Sequence, residues 1–274
     1  MATKYAINTG ALTWTGSCWN TASNQATSNT TAPTSSDTAV LDRYSSNMTV
    51  NTTSSTCQIL TMTGYTNTLT FGAGNTLLVK AGTSTLGGTL AGTGTLNIAG
   101  TTLNGTSLGV TTIALYIAGN STVNTNGTTW GSFSIGTSYT CTLGSNLQIA
   151  GDFTVRTNTA GVMAGAYDIT ADSLTIQNKC TLTLVINQNL TVNKIYISGV
   201  QGYTTTLKSS SASTNTNIVF NGTEDQSIMY GATLTDINFT GTRKMYTWFG
   251  SVVRGANSSV VNLSNLATTN LLLK

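Results

Sequence analysis

Short segments in which apolar and small polar residues alternate recur from one end of the chain to the other. In TLTFGAGNTLLV, residues 68–79, two such segments flank a glycine turn, and similar lines return at 141–155 and 180–192. Alternation with a period of two, bounded by Gly, Asn or Ser, predicts strands joined by turns. Helical periodicity is scarce, so the predicted fold class is all-β. The clearest segments are MTVNT (48–52), QILTMTG (58–64), NTLTFG (67–72), TLNIAG (95–100), FTVRT (153–157), SLTIQN (173–178), LTVNKIYIS (190–198), NIVFNG (217–222) and LTDINFTG (234–241).

The spacing of these segments indicates a repeat. Tyr65 and Tyr139 begin similar lines, and the interval from Cys18 to Cys57 equals the interval from Cys141 to Cys180. A rung of about 18–20 residues fits both observations, and repeats of this length are typical of solenoids. We therefore predict a right-handed parallel β-helix of about nine or ten coils, stacked at roughly 4.8 Å into a rod of about 45 Å. A β-sandwich or jelly roll stays open as the alternative, because the same strands could pair antiparallel.

The two ends of the chain differ in composition from the repeated segments. A solenoid end needs a cap, because its unpaired strand edges would template aggregation. We predict an N-terminal cap or attachment segment at 1–45, a β-helix body at 46–241 and a C-terminal cap or contact segment at 242–274. Large aromatic residues at such ends favour capping or protein contacts over a role as core filler. The predicted protein-contact residues are Trp14, Trp19, Tyr246, Trp248 and Phe249.

Charge is unusually sparse in this chain. Only 7% of its residues are charged, against about 25% in an ordinary soluble domain. The eleven basic residues are scattered and the net charge is +3, so the clustered cations that bind nucleic acid or a membrane surface are missing. The N-terminus has no apolar signal-peptide core, and no apolar run approaches the ~20 residues of a membrane span. We therefore expect neither nucleic acid nor a membrane as a partner.

The residue inventory argues against catalysis and against cofactors. Histidine is absent, which removes the usual general base and the His-bearing zinc sites. The four cysteines contain no C-x-x-C pair, and we predict buried free thiols in a protein made in a reducing cytosol. Among the eight carboxylates, Asp152, Asp168 and Asp172 could share a face of stacked coils, as in β-helix enzymes that cleave polysaccharides. Turn formation by these aspartates is the favoured interpretation, and adjacent Glu224–Asp225 indicates a corner. No catalytic, cofactor or metal site is predicted.

T-x-T pairs occur at 61–63, 66–68, 68–70, 93–95, 140–142 and 181–183. Regular outward ladders of such pairs on a β-helix are typical of ice-binding proteins. Here the pairs do not recur at a constant offset, and a flat array needs that regularity. The favoured interpretation is that threonine serves as an uncharged, strand-favouring surface residue.

The N-terminal third carries the segments WTGSCW (14–19), APTSSDTAVLD (32–42) and MTVNTTSSTCQILTMTGYTNTLTFGAGNTLLV (48–79), followed by short Gly/Thr-rich coils. Together with FNGTEDQSI (220–228), this pattern resembles a loose class of bacteriophage and prophage virion proteins. The resemblance covers about half of the chain and rests on pattern and composition. It implies a β-helical or β-rich, usually trimeric protein that sits on the particle as head decoration, head fibre, or tail fibre or spike.

We therefore predict a non-enzymatic virion structural protein, with a capsid decoration or cement protein as the favoured role. Its expected partners are two further copies of itself and the major capsid protein or other virion proteins, and its expected location is the virion after synthesis in the host cytoplasm. The alternative is a tail fibre or spike that binds, and in one version cleaves, host surface polysaccharide. The length favours decoration, because spikes usually add a separate particle-binding domain.

Overall fold

The computed structural model shows strands that stack in parallel, coil upon coil, into a β-solenoid of about nine turns. This architecture confirms the predicted all-β solenoid, and the parallel pairing excludes the antiparallel sandwich. The structure describes residues 1–106, 108–156, 159–197, 199, 205–223, 226–228, 232–241, 245–247, 252–254 and 260–262. Within these ranges, no helix is long and apolar enough to cross a membrane.

The described residues form 32 strands, most of them three to five residues long. In chain order they are β1 (Thr3–Ala6), β2 (Leu12–Thr13), β3 (Trp19–Asn20), β4 (Thr38–Val40), β5 (Met48–Val50), β6 (Ser55–Cys57), β7 (Ile59–Thr61), β8 (Thr68–Phe71), β9 (Thr76–Val79), β10 (Gly82–Thr85), β11 (Thr89–Gly92), β12 (Thr95–Ile98), β13 (Thr101–Asn104), β14 (Ala114–Ile117), β15 (Ser121–Asn124), β16 (Thr129–Trp130), β17 (Ser132–Ile135), β18 (Thr140–Leu143), β19 (Leu147–Ile149), β20 (Asp152–Val155), β21 (Ala160–Ala164), β22 (Ile169–Ile176), β23 (Thr181–Leu184), β24 (Asn189–Ile197), β25 (Thr205–Ser209), β26 (Thr216–Phe220), β27 (Gln226–Ile228), β28 (Ala232–Thr235), β29 (Ile237–Gly241), β30 (Met245–Thr247), β31 (Val252–Arg254) and β32 (Val260–Asn262).

Hydrogen bonds group these strands into sheets that run along the solenoid. The first sheet has the order β3-β1-β4-β7-β10-β13-β15-β18-β21-β23-β25-β28-β31, and β3 is its antiparallel edge strand. The second runs β6-β9-β12-β14-β17-β20-β22-β24-β26-β29, with β16 and β19 joined to it through β22. The third, β2-β5-β8-β11, serves only early coils, and β27-β30-β32 form a short fourth sheet. Coil stacking therefore begins at β1, before residue 46, and continues through strands beyond residue 241.

Coil length varies while the register of the strands is kept. Asn104 and Asn124 are register partners separated by 20 residues, whereas Asn189 and Asn217 are register partners separated by 28 residues. The predicted rung length thus matches the shorter coils. The interval from Cys141 to Cys180, which suggested this rung length, does not join equivalent positions. Cys141 pairs with Met163 on the next coil, and Met163 pairs with Leu184 on the coil after that, so Cys180 lies outside this column. Insertions lie in the turns, where they do not disturb pairing.

Apolar columns fill the interior. The second sheet carries two inward columns whose members follow one another coil by coil. All of these side chains are buried, and Phe133 and Phe153 meet edge to face with ring centroids 5.2 Å apart. Successive side chains of a strand point to opposite faces, so every second residue enters the interior. This explains the alternation of apolar and polar residues in the sequence. The columns are Cys57–Val79–Ile98–Ile117–Ile135–Val155–Ile176–Ile197 and Leu77–Leu96–Leu115–Phe133–Phe153–Leu174–Ile195.

The close approach of coils can be tested at two glycines. Gly92 has a φ of +93°, and a Cβ there would lie 1.9 Å from the carbonyl oxygen of Phe71 on the preceding coil. Gly74 has a φ of +72° in a turn with no atom within 4 Å of a Cβ. We expect Gly92→Ala to destabilise the protein by about 3 kcal/mol or more, and the control Gly74→Ala by about 1–2 kcal/mol, the cost of left-handed backbone alone. Thermal unfolding measures both losses of stability, and equal losses would contradict the close packing of Gly92 against Phe71.

Candidate functional site

The N-terminal cap is held by two tryptophans that lie in the core. The rings of Trp14 and Trp19 meet edge to face, with centroids 5.1 Å apart, and Nε1 of Trp19 donates a hydrogen bond of 2.8 Å to the carbonyl oxygen of Trp14. Both residues are at most 1% exposed. They therefore close the first coil, and neither ring is offered to a partner on the surface of the single chain. They can contribute to a protein contact only indirectly, because their packing fixes the shape of the cap.

The other predicted contact residues lie near the C-terminus. Tyr246 belongs to β30, which pairs in parallel with β27 and β32. Trp248 and Phe249 lie outside the described residues. The contact role of this segment stays a prediction.

A buried ion pair ties the cap together. Nζ of Lys4 lies 3.2 Å from Oδ2 of Asp37, and both residues are buried. Lys4 also donates to the carbonyl oxygen of Ala32 at 3.0 Å, while the hydroxyl of Thr34 donates to Oδ2 of Asp37 at 2.8 Å. Burial alone would raise the pKa of Asp37, but the hydrogen bonds from Thr34, Lys4 and Ala2 outweigh it and lower the pKa to about 2. The ion pair therefore fastens β1 to the loop before β4.

Three of the described carboxylates serve as links between coils. Asp152, Asp168 and Asp172 each bond to the residue 21 positions later, namely Ser173, Asn189 and Asn193. Asp172 also pairs with Lys194 at 3.3 Å, and the hydrogen bond from Asn193 together with this pair lowers the pKa of Asp172. Asp152 and Asp172 lie on successive coils, one register position apart, because Asp152 pairs with Ser173. The favoured interpretation as turn formers is wrong for Asp152 and Asp172, which lie in β20 and β22. Asp168 precedes β22, and its side chain also bonds to a residue one coil away. Glu224 and Asp225 lie outside the described residues.

An asparagine ladder continues the line of Asp168. Nδ2 of Asn217 donates to Oδ1 of Asn189, and Nδ2 of Asn238 donates to Oδ1 of Asn217, both at 3.1 Å. Asp168 itself accepts from the backbone N–H and the side chain of Asn189. The amides of Asn189 and Asn217 use their oxygen and their nitrogen in opposite directions along the solenoid. This ladder stabilises the stack, and sequence reasoning missed it because the coils that it joins differ in length.

The cysteines are buried free thiols, as predicted. Burial raises the pKa of Cys18 to about 11, despite the hydrogen bond with the backbone of Thr13, and that of Cys141 to about 12. Burial raises the pKa of Cys57 as well. A protonated, enclosed thiol is a poor nucleophile. Among the described residues, no group of three or more His, Cys, Asp or Glu side chains is placed to hold a metal ion.

Threonine columns cover part of the outer face of the first sheet. Thr83, Thr102, Thr122 and Thr142 follow one another on β10, β13, β15 and β18, in register. Of the residues in the six T-x-T segments, only Thr142, in segment 140–142, belongs to this column. The sequence signal that could have revealed it is the nearly constant interval between these four threonines. A groove of about 250 Å³ lies along three of them.

Comparison with known proteins adds no assignment. No protein-family model, curated protein or solved structure matches the chain.

The buried ion pair predicts an acid response of the cap. Because the pKa of Asp37 is about 2 in the folded protein, below the usual value near 3.9, its contribution to stability is present above pH 4 and is lost as the pH falls from about 4 to 2. We expect Asp37→Asn to cost about 3 kcal/mol at neutral pH, since it leaves Lys4 buried without its partner. Unfolding curves at a series of pH values measure both effects.

The matched control is Asp172→Asn, which removes the half-exposed pair with Lys194. Exposed pairs contribute about 0–1 kcal/mol, so this variant should stay close to the parent protein at neutral pH. Equal losses for the two variants would show that the cap does not depend on the buried pair.

Proposed function

We propose that this chain is a non-enzymatic structural protein of a bacteriophage particle, most specifically a decoration protein bound to the capsid. The single observation that carries the non-enzymatic part is the structural use of four of the six described aspartates. Asp37 is committed to a buried ion pair, and Asp152, Asp168 and Asp172 each bond to the next coil. Hydrolysis of a glycosidic bond needs one carboxylic acid and one carboxylate that are free to act on the substrate.

The particle role is supported by the resemblance of segments 14–19, 32–42, 48–79 and 220–228 to virion proteins and by the stacked coils of the solenoid. Its coils are tied by backbone ladders, apolar columns and side-chain links, so few segments are left open to proteolysis. A protein displayed in many copies also needs only modest contacts for firm attachment, because its valency is high. These properties suit a component that works by persisting on a surface.

A homotrimer stays part of the proposal. The exposed large apolar residues of the described chain are Met1, Tyr44, Val110, Tyr167 and Tyr196. They are dispersed along the chain and do not make one sheet face apolar. A trimer contact along the body would therefore use polar faces, or it would lie in residues 242–274.

Copy number on the particle tests the proposal. We expect quantitative mass spectrometry of purified particles to find hundreds of copies, in a fixed ratio to the major capsid protein, because a decoration protein occupies repeated lattice positions. A handful of copies per particle would indicate a tail appendage, and absence from particles would overturn the virion role.

Activity on polysaccharide tests the non-enzymatic part. Incubation of the protein with host capsule or lipopolysaccharide should release no oligosaccharide. The single variants Asp152→Asn, Asp168→Asn and Asp172→Asn should bind particles as the parent protein does, since each removes only links between coils. Released oligosaccharide that disappears in one of these variants would identify a catalytic carboxylate and overturn the proposal.

A further inference from the structure

A shallow groove of about 250 Å³ crosses three successive coils at the start of β13, β15 and β18. Its floor combines the outward threonines Thr102, Thr122 and Thr142 with Gly100 and Asn120 from the preceding turns and with Thr140 at the start of β18. The three threonines are in register, one coil apart. Parallel strands are spaced at roughly 4.8 Å, so the groove presents a hydroxyl at each such step along the solenoid.

The wall of the groove is built from side chains that are already fixed. Thr101 is 1% exposed, and its hydroxyl donates to the carbonyl oxygen of Val79, while the hydroxyl of Ser121 donates to the carbonyl oxygen of Gly119. Oδ1 of Asn120 accepts the backbone N–H of Thr140 at 2.9 Å, which holds its amide in place. These bonds give the groove a preformed shape.

Several polar groups of the floor are free. Within the described residues, the hydroxyls of Thr102, Thr122 and Thr142 have no hydrogen-bond partner. The side-chain nitrogen of Asn120 is left to donate, because the oxygen of the same amide is used. A threonine hydroxyl both donates and accepts, so the groove offers donors and acceptors in a short row.

These features select the class of ligand. None of the residues that line the groove is charged, which disfavours phosphate and other anionic ligands that need cationic partners. The lining is rich in hydroxyls, which disfavours lipid and apolar side chains. The row runs across strands whose backbone groups are already paired within the sheet, so a peptide cannot add as a further strand here. A neutral ligand with many hydroxyls remains.

We infer that this groove binds a segment of a neutral polysaccharide, with the hydroxyls of Thr102, Thr122 and Thr142 and the amide of Asn120 as the recognising groups. A hydrogen bond that replaces one with water contributes only about 1 kcal/mol net, so a single groove binds weakly. Many copies on one surface would turn weak sites into firm attachment. The inference concerns this groove alone and does not rest on the particle role.

The experiment displays the purified protein densely on beads, to supply valency, and measures retention of fluorescently labelled dextran and soluble β-glucan, with alginate as an anionic polysaccharide. We expect retention of at least one neutral polymer and none of alginate. Thr122→Val should weaken retention about fivefold, and the triple variant Thr102→Val, Thr122→Val, Thr142→Val should abolish it, because each change removes a hydroxyl and keeps the β-branched shape.

The matched control is the double variant Thr154→Val, Thr175→Val, which changes two half-buried outward threonines in register on the second sheet. It should bind as the parent protein does, and all variants should keep the parent's melting temperature. Retention of no neutral polymer, or equal retention by the triple variant, would overturn the inference. If the parent protein shapes ice crystals but retains no polysaccharide, and the triple variant loses this ice shaping, the inference would also be overturned. The threonine column would then bind ordered water and not a polysaccharide. Particle copy number is measured separately, so failure here leaves the proposed function standing.

Discussion

Parallel backbone pairing between successive coils is the interaction on which the rest of the structure depends. It fixes which residue of one coil lies over which residue of the next, and therefore converts alternation along the chain into columns along the solenoid. Inside, Val79 lies over Cys57 and under Ile98; outside, Thr122 lies over Thr102. Because a slip of one residue would turn every side chain to the wrong face, the buried columns hold the register and the polar columns follow from it.

The same constraint explains how a chain with so few charges builds a stable surface. Side-chain amides and carboxylates that recur one coil apart can bond to one another, as Asn189, Asn217 and Asn238 do. Asp168 enters the same line through Asn189. In a solenoid, polar residues can therefore act as links between neighbouring coils, and Asn189 and Asn217 bond to the coil on either side. Asp152, Asp168 and Asp172 have this architectural role.

The fold could be predicted from sequence because its signal is local and repeated, whereas the candidate site could not. The period of two and the turn residues at each boundary indicated the solenoid. The cysteine spacing used to estimate the rung length was misleading, because Cys180 does not lie in the column of Cys141. Coil length changes along the solenoid, so a search for residues at a constant sequence interval does not find the register. The coil from Asn104 to Asn124 spans 20 residues, whereas the coil from Asn189 to Asn217 spans 28. The asparagine ladder escaped for that reason, whereas the threonine column has a nearly constant interval that only the stacked strands showed to be one line.

The sequence by itself determined the strand-forming segments, the inward face of each strand and the lack of histidine chemistry, because these follow from composition and from the geometry of the extended backbone. Only the tertiary structure decided which turns absorb the extra residues, and so which outward side chains meet. It also placed Trp14 and Trp19 inside the cap, where burial of both rings outweighs any gain from presenting them. The threonine groove exists only because coils of nearly equal length follow one another at Thr102, Thr122 and Thr142.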